Sequence, residues 1–243
     1  MASEMEKRRR LFDVKTTQII MVRDRGFDIT AEQALLGEDD TYDARFTLFN
    51  DHYSRAAREA NLADFRYALS QVYYHSTRSI TLTDGQVIPE PLYVFYGVKG
   101  KANKVPKDVI EKFAANTIKY YARTGILVIN GNLNKEGANE ALAVHEDKQV
   151  YWQVFSDAEL AFPVIYHQRV PRHEALSELD GRNKLIELRT TSSQIKPYPL
   201  NDKIVQYYGW KLGTVIKIYQ NLEGTGNLVN LDIGYRLVAP SQD

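Results

Sequence analysis

Apolar residues recur at three- and four-residue intervals early in the chain and then give way to short unbroken runs. Leu11, Val14, Ile19 and Val22 share one face of a helix predicted over residues 11–25, with Gly26 as its stop. Thr30 and Gln33 have capping-box spacing and predict a second helix over residues 31–36. Residues 51–74 also read as helical, on a weaker stripe of Tyr53, Ala57, Ala60, Asp64, Tyr67 and Val72.

The middle is sharper. Residues 92–96, all aromatic or aliphatic, predict a strand. Val109, Ile110, Phe113, Ala114, Ile118 and Tyr121 follow at helical spacing, with Gly125 as the expected end. The run at 126–129 predicts a strand buried on both faces, 135–144 a helix, and 150–155 an alternating strand. This order predicts an α/β domain with a parallel or mixed sheet joined by right-handed crossovers.

Ser156 and Glu159 have capping-box spacing over a short helix. Beyond Pro163, prolines 171, 197 and 199 divide the chain and helical periodicity fades. Asn201 or Asp202 caps a predicted two-turn helix that stops at Gly209. Residues 214–219 and 231–238 predict two strands joined by the Gly- and Asn-rich 221–230. Gly209 suits a left-handed helix end and Gly213 a turn into the strand. Val215, Lys217 and Tyr219 then share one strand face, Ile216 and Ile218 the other. A boundary near 163 is expected, between an α/β domain (1–163) and a smaller α+β domain (164–243).

Composition narrows the function. The 243 residues, 44% hydrophobic and 26% charged, suit one large or two ordinary globular domains. No apolar run is long enough to span a bilayer, and the polar, basic start leads into no apolar segment, so neither a membrane span nor a secretory signal is expected. The absence of cysteine excludes disulfides and thiolate metal sites. Basic and acidic residues number 31 each, which is not the basic excess of a free-standing DNA-binding domain. Any contact with nucleic acid is therefore expected to be local and held by a partner. The run Lys7-Arg8-Arg9-Arg10 reads as a solvated tail rather than a nucleic-acid or targeting element.

Catalytic patterns are missing. None of His52, His75, His145, His167 and His173 forms an i, i+4 pair, and all five read as surface or structural residues. Gly224-Thr225-Gly226 reads as a turn, and Asp39-Asp40 as solvated loop. There is no phosphate-binding loop and no nucleophile elbow. No catalytic residue, metal or cofactor is expected.

One series of residues carries a resemblance. His167-Gln168-Arg169-Val170-Pro171-Arg172-His173 is similar to a His-x-x-Val-Pro-x-His segment. Gly209-x-Lys211-x-Gly213-x-Val215-x-Lys217-Ile218 follows in order. Asp202, Tyr207, Glu223, Gly226 and Tyr235-Arg236-Leu237-Val238 fall in near register, and Asp24-Arg25-Gly26-Phe27 and Tyr93-Val94-Phe95-Tyr96 agree more loosely. Together they resemble the shared jaw subunit of eukaryotic nuclear RNA polymerases, whose second domain is similar to a shorter archaeal polymerase protein. Lys203 stands where that family has proline, Gln206, Leu212 and Gln220 replace basic residues, and the turn at 221–226 is remade. Residues 42–91 do not align.

The resemblance implies a non-catalytic polymerase subunit without cofactors. Its first domain would resemble restriction nucleases in fold and form a jaw near downstream double-stranded DNA. Its second would dock on the largest polymerase subunit through His167, Pro171, His173, Asp202, Tyr207, Gly209, Lys211, Gly213, Lys217, Glu223, Tyr235 and Arg236. A nuclear location follows, nucleolar if the subunit is dedicated to polymerase I, or a viral particle or factory if it is of large-DNA-virus origin. Physical reasoning also marks residues 130–134, which leave the carboxyl end of a buried strand toward a helix N-terminus. The resemblance implies that this loop approaches the DNA backbone, which makes Asn132, Asn134 and Lys135 the expected phosphate contacts, although the family's proline is missing from it. Two rivals remain: a nuclease-fold enzyme, for which no Glu-x-Lys strand follows Asp84 and Glu111-Lys112 lies on a helix, and a regulatory adaptor sharing the assembly domain.

Overall fold

The computed structural model describes residues 3–37, 40–57, 61–133, 150–221 and 231–241. The chain divides into two compact units, Met1–Phe162 and Pro163–Asp243.

In the first unit, α1 (Glu4–Asp24) is capped by Ser3, whose hydroxyl accepts from the Glu6 amide, and the chain turns at Gly26 with φ +87°. It starts well before residue 11, which corrects the reading of the basic run as a tail. Arg8 donates to Asn50 Oδ1 at 2.9 Å, and Arg9 pairs with Asp43 at 2.8 Å and lies over the Phe46 ring. The run therefore ties α1 to α2 (Tyr42–Ala56).

The segment after Gly26 is a 3-10 helix, Thr30–Leu36, without the expected capping box. Asp28 takes that place and accepts from the amide and hydroxyl of Thr30. The long helix predicted to residue 74 is also corrected. After α2 comes a short α3 (Leu62–Ala68), and then the chain extends as β1 (Gln71–Thr81). Val72 and Tyr73 fit a strand as well as a helix, and pairing with β2 (Val87–Gly97) decides between them.

β2 is followed by α4 (Lys107–Lys119), β3 (Thr124–Ile129) and β4 (Tyr151–Ser156). The sheet runs β1-β2-β3-β4, antiparallel at the first pair and parallel at the next two. α4 buries Val109, Ile110 and Phe113 against Tyr93, Phe95 and Leu127. It ends at Tyr120, so Gly125 is not its stop. Gly125 lies inside β3, where a Cβ would stand 2.8 Å from the rings of Phe113 and Trp152. The Ser156–Glu159 box does form, with Ser156 N donating to Glu159 Oε2 at 2.8 Å, but it closes a turn rather than a helix. The helix predicted at 135–144 lies outside the described residues.

The second unit holds β5 (Arg172–Ala175), α5 (Glu178–Glu187), β6 (Pro197–Pro199), α6 (Lys203–Tyr208), β7 (Val215–Asn221) and β8 (Leu231–Ala239). Its sheet runs β5-β7-β8-β6, with β6 parallel to β8 and the other pairs antiparallel. Both units thus combine helices with a mixed sheet. α5 is a helix that the fading periodicity beyond Pro163 does not predict. Only Gly181 of this helix is buried, so it carries no apolar stripe to read. Asp202, not Asn201, caps α6, and Gly209 ends it in the left-handed region at φ +66°. Tyr198, Val205, Ile216, Ile218 and Val238 form the core.

Candidate functional site

The carboxyl ends of β2 and β3 carry two loops that bond to each other. Beyond Ile129, Asn130 Oδ1 accepts from the Lys99 amide at 2.8 Å. Asn132 N donates to Asn103 O at 2.7 Å, and Asn132 O accepts from the Val105 amide at 3.0 Å. Lys99 Nζ reaches Asn103 Oδ1 at 2.7 Å, and Asn103 holds a positive φ of 59°. Gly131 permits this approach, because a Cβ there would stand 2.7 Å from Asn103 O. The result is one bonded edge on which Lys99, Lys101, Lys104 and Asn132 are all exposed.

Arg66 anchors this edge from below. It is 2% exposed, donates to Gly97 O at 2.6 Å and Val128 O at 3.1 Å, and forks onto Asp157 at 2.7 and 2.8 Å. One guanidinium therefore fixes the ends of both strands to the turn after β4. Chemically the edge offers flexible ammonium groups and an amide on a rigid base, which suits phosphate oxygens without reading bases. The sequence pattern points to Asn132 here and not to the three lysines. A signal for them exists in Val98-Lys99-Gly100-Lys101-Ala102-Asn103-Lys104, a Gly-containing basic loop between a strand and a helix. Asn134 and Lys135 lie outside the described residues.

In the second unit the predicted assembly residues separate into two groups. His173, Asp202, Tyr207 and Arg236 gather with the core face. His173 Nε2 and the Tyr198 hydroxyl are 3.2 Å apart, Arg236 lies 5.3 Å from the centre of the Tyr198 ring, and Tyr207 is buried. Burial lowers the His173 pKa and favours the neutral ring. Gly213 adopts φ +83° before β7. Lys217 and Tyr235 are paired across β7 and β8 on the opposite face. His167 is exposed, with Nδ1 accepting from the Arg169 amide, and Pro171 precedes β5. Lys211 is exposed beside the Gly213 turn, its carbonyl accepting from the Thr214 hydroxyl. Glu223 lies outside the described residues.

Among the described residues no group of three His, Asp or Glu is placed to hold a metal ion. Asp84 sits in the β1–β2 turn, where it accepts from the Gln86 amide, and Glu111 is on α4 beside Lys107. These are not the adjacent strands that a nuclease carboxylate set requires.

Residues 162–238 match the family model described as RNA polymerase Rpb5, C-terminal domain. A Dictyostelium discoideum protein, DNA-directed RNA polymerases I, II, and III subunit rpabc1, is 26% identical over 148 residues, which cover 61% of this chain and 72% of that protein. The chain is a divergent Rpb5-like RNA polymerase subunit. DNA-directed RNA polymerase subunit 5-like protein 1 of Arabidopsis thaliana is 25% identical over 86% of this chain and 88% of its own length. The Caenorhabditis elegans subunit RPABC1 is 22% identical over 98% of this chain and 100% of its own. The Rpb5-type match begins within the turn region before Pro163 and ends at Val238, the last buried residue of β8. It therefore covers the helix, Gly209, Gly213 and the strand pair that carry the motif series.

Proposed function

We propose that this Rpb5-like subunit assembles on the largest subunit of a nuclear DNA-dependent RNA polymerase through its second unit and presents its first as a jaw to downstream duplex DNA. The observation that carries the reading is the agreement between the family match and the motif series, both centred on α6, Gly209, Gly213 and β7–β8. The subunit is non-catalytic, and its role is to hold a surface in place. On this reading the first unit is a nuclease-like frame used without a carboxylate set, and its phosphate contacts are Lys99, Lys101, Lys104 and Asn132.

The edge supports this role because it is rigid underneath and flexible on top. Arg66 and the paired loops fix its position, while lysine side chains adapt to any backbone register. A photo-crosslinking residue placed at Asn132 in the assembled polymerase tests it. Cross-links to the downstream duplex are expected, and their absence from transcribing complexes would remove the jaw assignment.

A further inference from the structure

The second sheet has one closed face and one open face. Strand register puts His173, Ile216, Ile218 and Val238 on the closed face, beneath α6 and Trp210. Arg172, Lys217, Tyr219, Ile233 and Tyr235 lie on the other. α5 covers one end of that open face, where Gly181 rests against Val215.

The uncovered end is a lattice of cations and tyrosines. Arg172 stands 5.0 Å and Lys217 4.6 Å from the Tyr219 ring centre, and Lys184 reaches from α5 to 5.3 Å from Tyr235. The Tyr219 hydroxyl donates to Glu174 Oε2 at 2.5 Å, and Lys184 also pairs with Glu187. The Lys217 ammonium donates to the Tyr219 hydroxyl oxygen, a bond that raises the Lys217 pKa and keeps the group charged. At the covered end, α5 and the turn before β7 enclose a groove of about 470 Å³ walled by Leu185, Leu212 and Leu237. Leu212 in its wall is 55% exposed, and Leu179 and Ile186 on α5 are 68% and 75% exposed. Large apolar side chains clustered in water mark a surface that a protein covers.

We propose that this face docks a carboxylate-bearing surface of the partner polymerase subunit, with acidic side chains at Arg172 and Lys217 and an apolar side chain in the groove beside α5. The inference deepens the assembly reading above and rests on it. Charge selects an acidic partner: Arg172 and Lys217 both stand over the Tyr219 ring, and the Arg172–Glu174 pair, at 4.0 Å, is long and exposed, so both cations keep further donors for an incoming carboxylate. A nucleic acid fits less well. The Tyr219 and Tyr235 rings already carry cations where a base would stack.

The full chain, co-expressed with the largest polymerase subunit, provides the test. A carbodiimide, which joins lysine amines to carboxylates in contact, should link Lys217 or Lys184 to aspartate or glutamate of that subunit. The pair Arg172→Glu and Lys217→Glu should weaken the complex by about tenfold or more, while Lys196→Glu, an exposed cation off this face, should leave it unchanged. A complex that forms without these cross-links and tolerates the double reversal would overturn the inference and leave the assembly reading standing. So would displacement of the cross-links by a single-stranded oligonucleotide. Failure of the unmodified chain to form the complex would sink the assembly reading, and this inference with it.

Discussion

Lys15 and Glu32 form an ion pair at 2.9 Å in the interior of the first unit, where they are 0% and 5% exposed. The pair is embedded in partners: Lys15 Nζ also donates to Leu69 O and to the Tyr73 hydroxyl, and Tyr53 and Tyr73 both donate to Glu32. Gln18 and Tyr96 extend the network. It joins α1, the 3-10 helix, α2 and two strands, so it sets how the helices sit on the sheet. A buried charge whose partner is removed destabilises strongly, whereas removing both charges need not. Lys15→Met should therefore cost about 3–5 kcal/mol in urea unfolding, and adding Glu32→Leu should recover much of it. Additive losses would contradict this account.

The same pair predicts acid sensitivity. Burial alone would raise the Glu32 pKa, but Lys15 and the tyrosine hydroxyls outweigh it and hold it below the ordinary 4.5. A carboxyl depressed on folding contributes stability that is full above its unfolded pKa and is lost as pH falls through the folded value. The unfolding midpoint should thus drop between about pH 5 and pH 3. In the Lys15→Met, Glu32→Leu double variant, the part of that drop due to this carboxylate should disappear. An identical pH profile in both proteins would count against it.

Gly213 separates backbone strain from crowding. Its φ is +83° and a Cβ there meets nothing within 4 Å. Gly213→Val should cost about 1–3 kcal/mol from backbone conformation alone, and Gly213→Asn distinctly less, because asparagine tolerates the left-handed region. Gly125→Ala is the opposite case, with φ unremarkable and rings at 2.8 Å. Thermal unfolding of the three variants checks the order within the second unit and the effect in the first.

The lysine edge makes a salt-dependence prediction. With three phosphates neutralised, the slope of log K against log salt on duplex DNA should be about −2.7. Replacing Lys99, Lys101 and Lys104 by alanine should bring it toward zero, equally on unrelated sequences. Fluorescence anisotropy over a salt series measures both. Sequence-dependent losses, or an unchanged slope, would place the DNA contact elsewhere.

How much the residues revealed depended on whether local pattern or distant pairing decided the structure. The central strands and α4 were legible because Ile126, Leu127 and Val128 are buried on both faces and Val109, Ile110 and Phe113 keep helical spacing. Asp202 and Gly209 marked the ends of α6 by chemistry acting within a few residues. β1 was not legible, since Val72 and Tyr73 become strand only through pairing with Tyr93 and Leu92. α5 escaped because an exposed helix needs no apolar stripe. The basic run at Arg8 and Arg9 reads as a tail because its partners, Asn50 and Asp43, lie a helix away. The lysine edge is hidden for a related reason. Lys99 and Lys104 gain significance only when Asn130 and Asn132 bond to their loop.

The central claim is that this chain works as one part of a polymerase. Affinity purification of the tagged full chain from its own cells, with quantitative mass spectrometry of what accompanies it, tests that claim most directly. The account predicts the largest and other RNA polymerase subunits in fixed, equimolar proportion to the tagged chain, retained through gel filtration. A chain that elutes alone, or with partners that include no polymerase subunit, would contradict it.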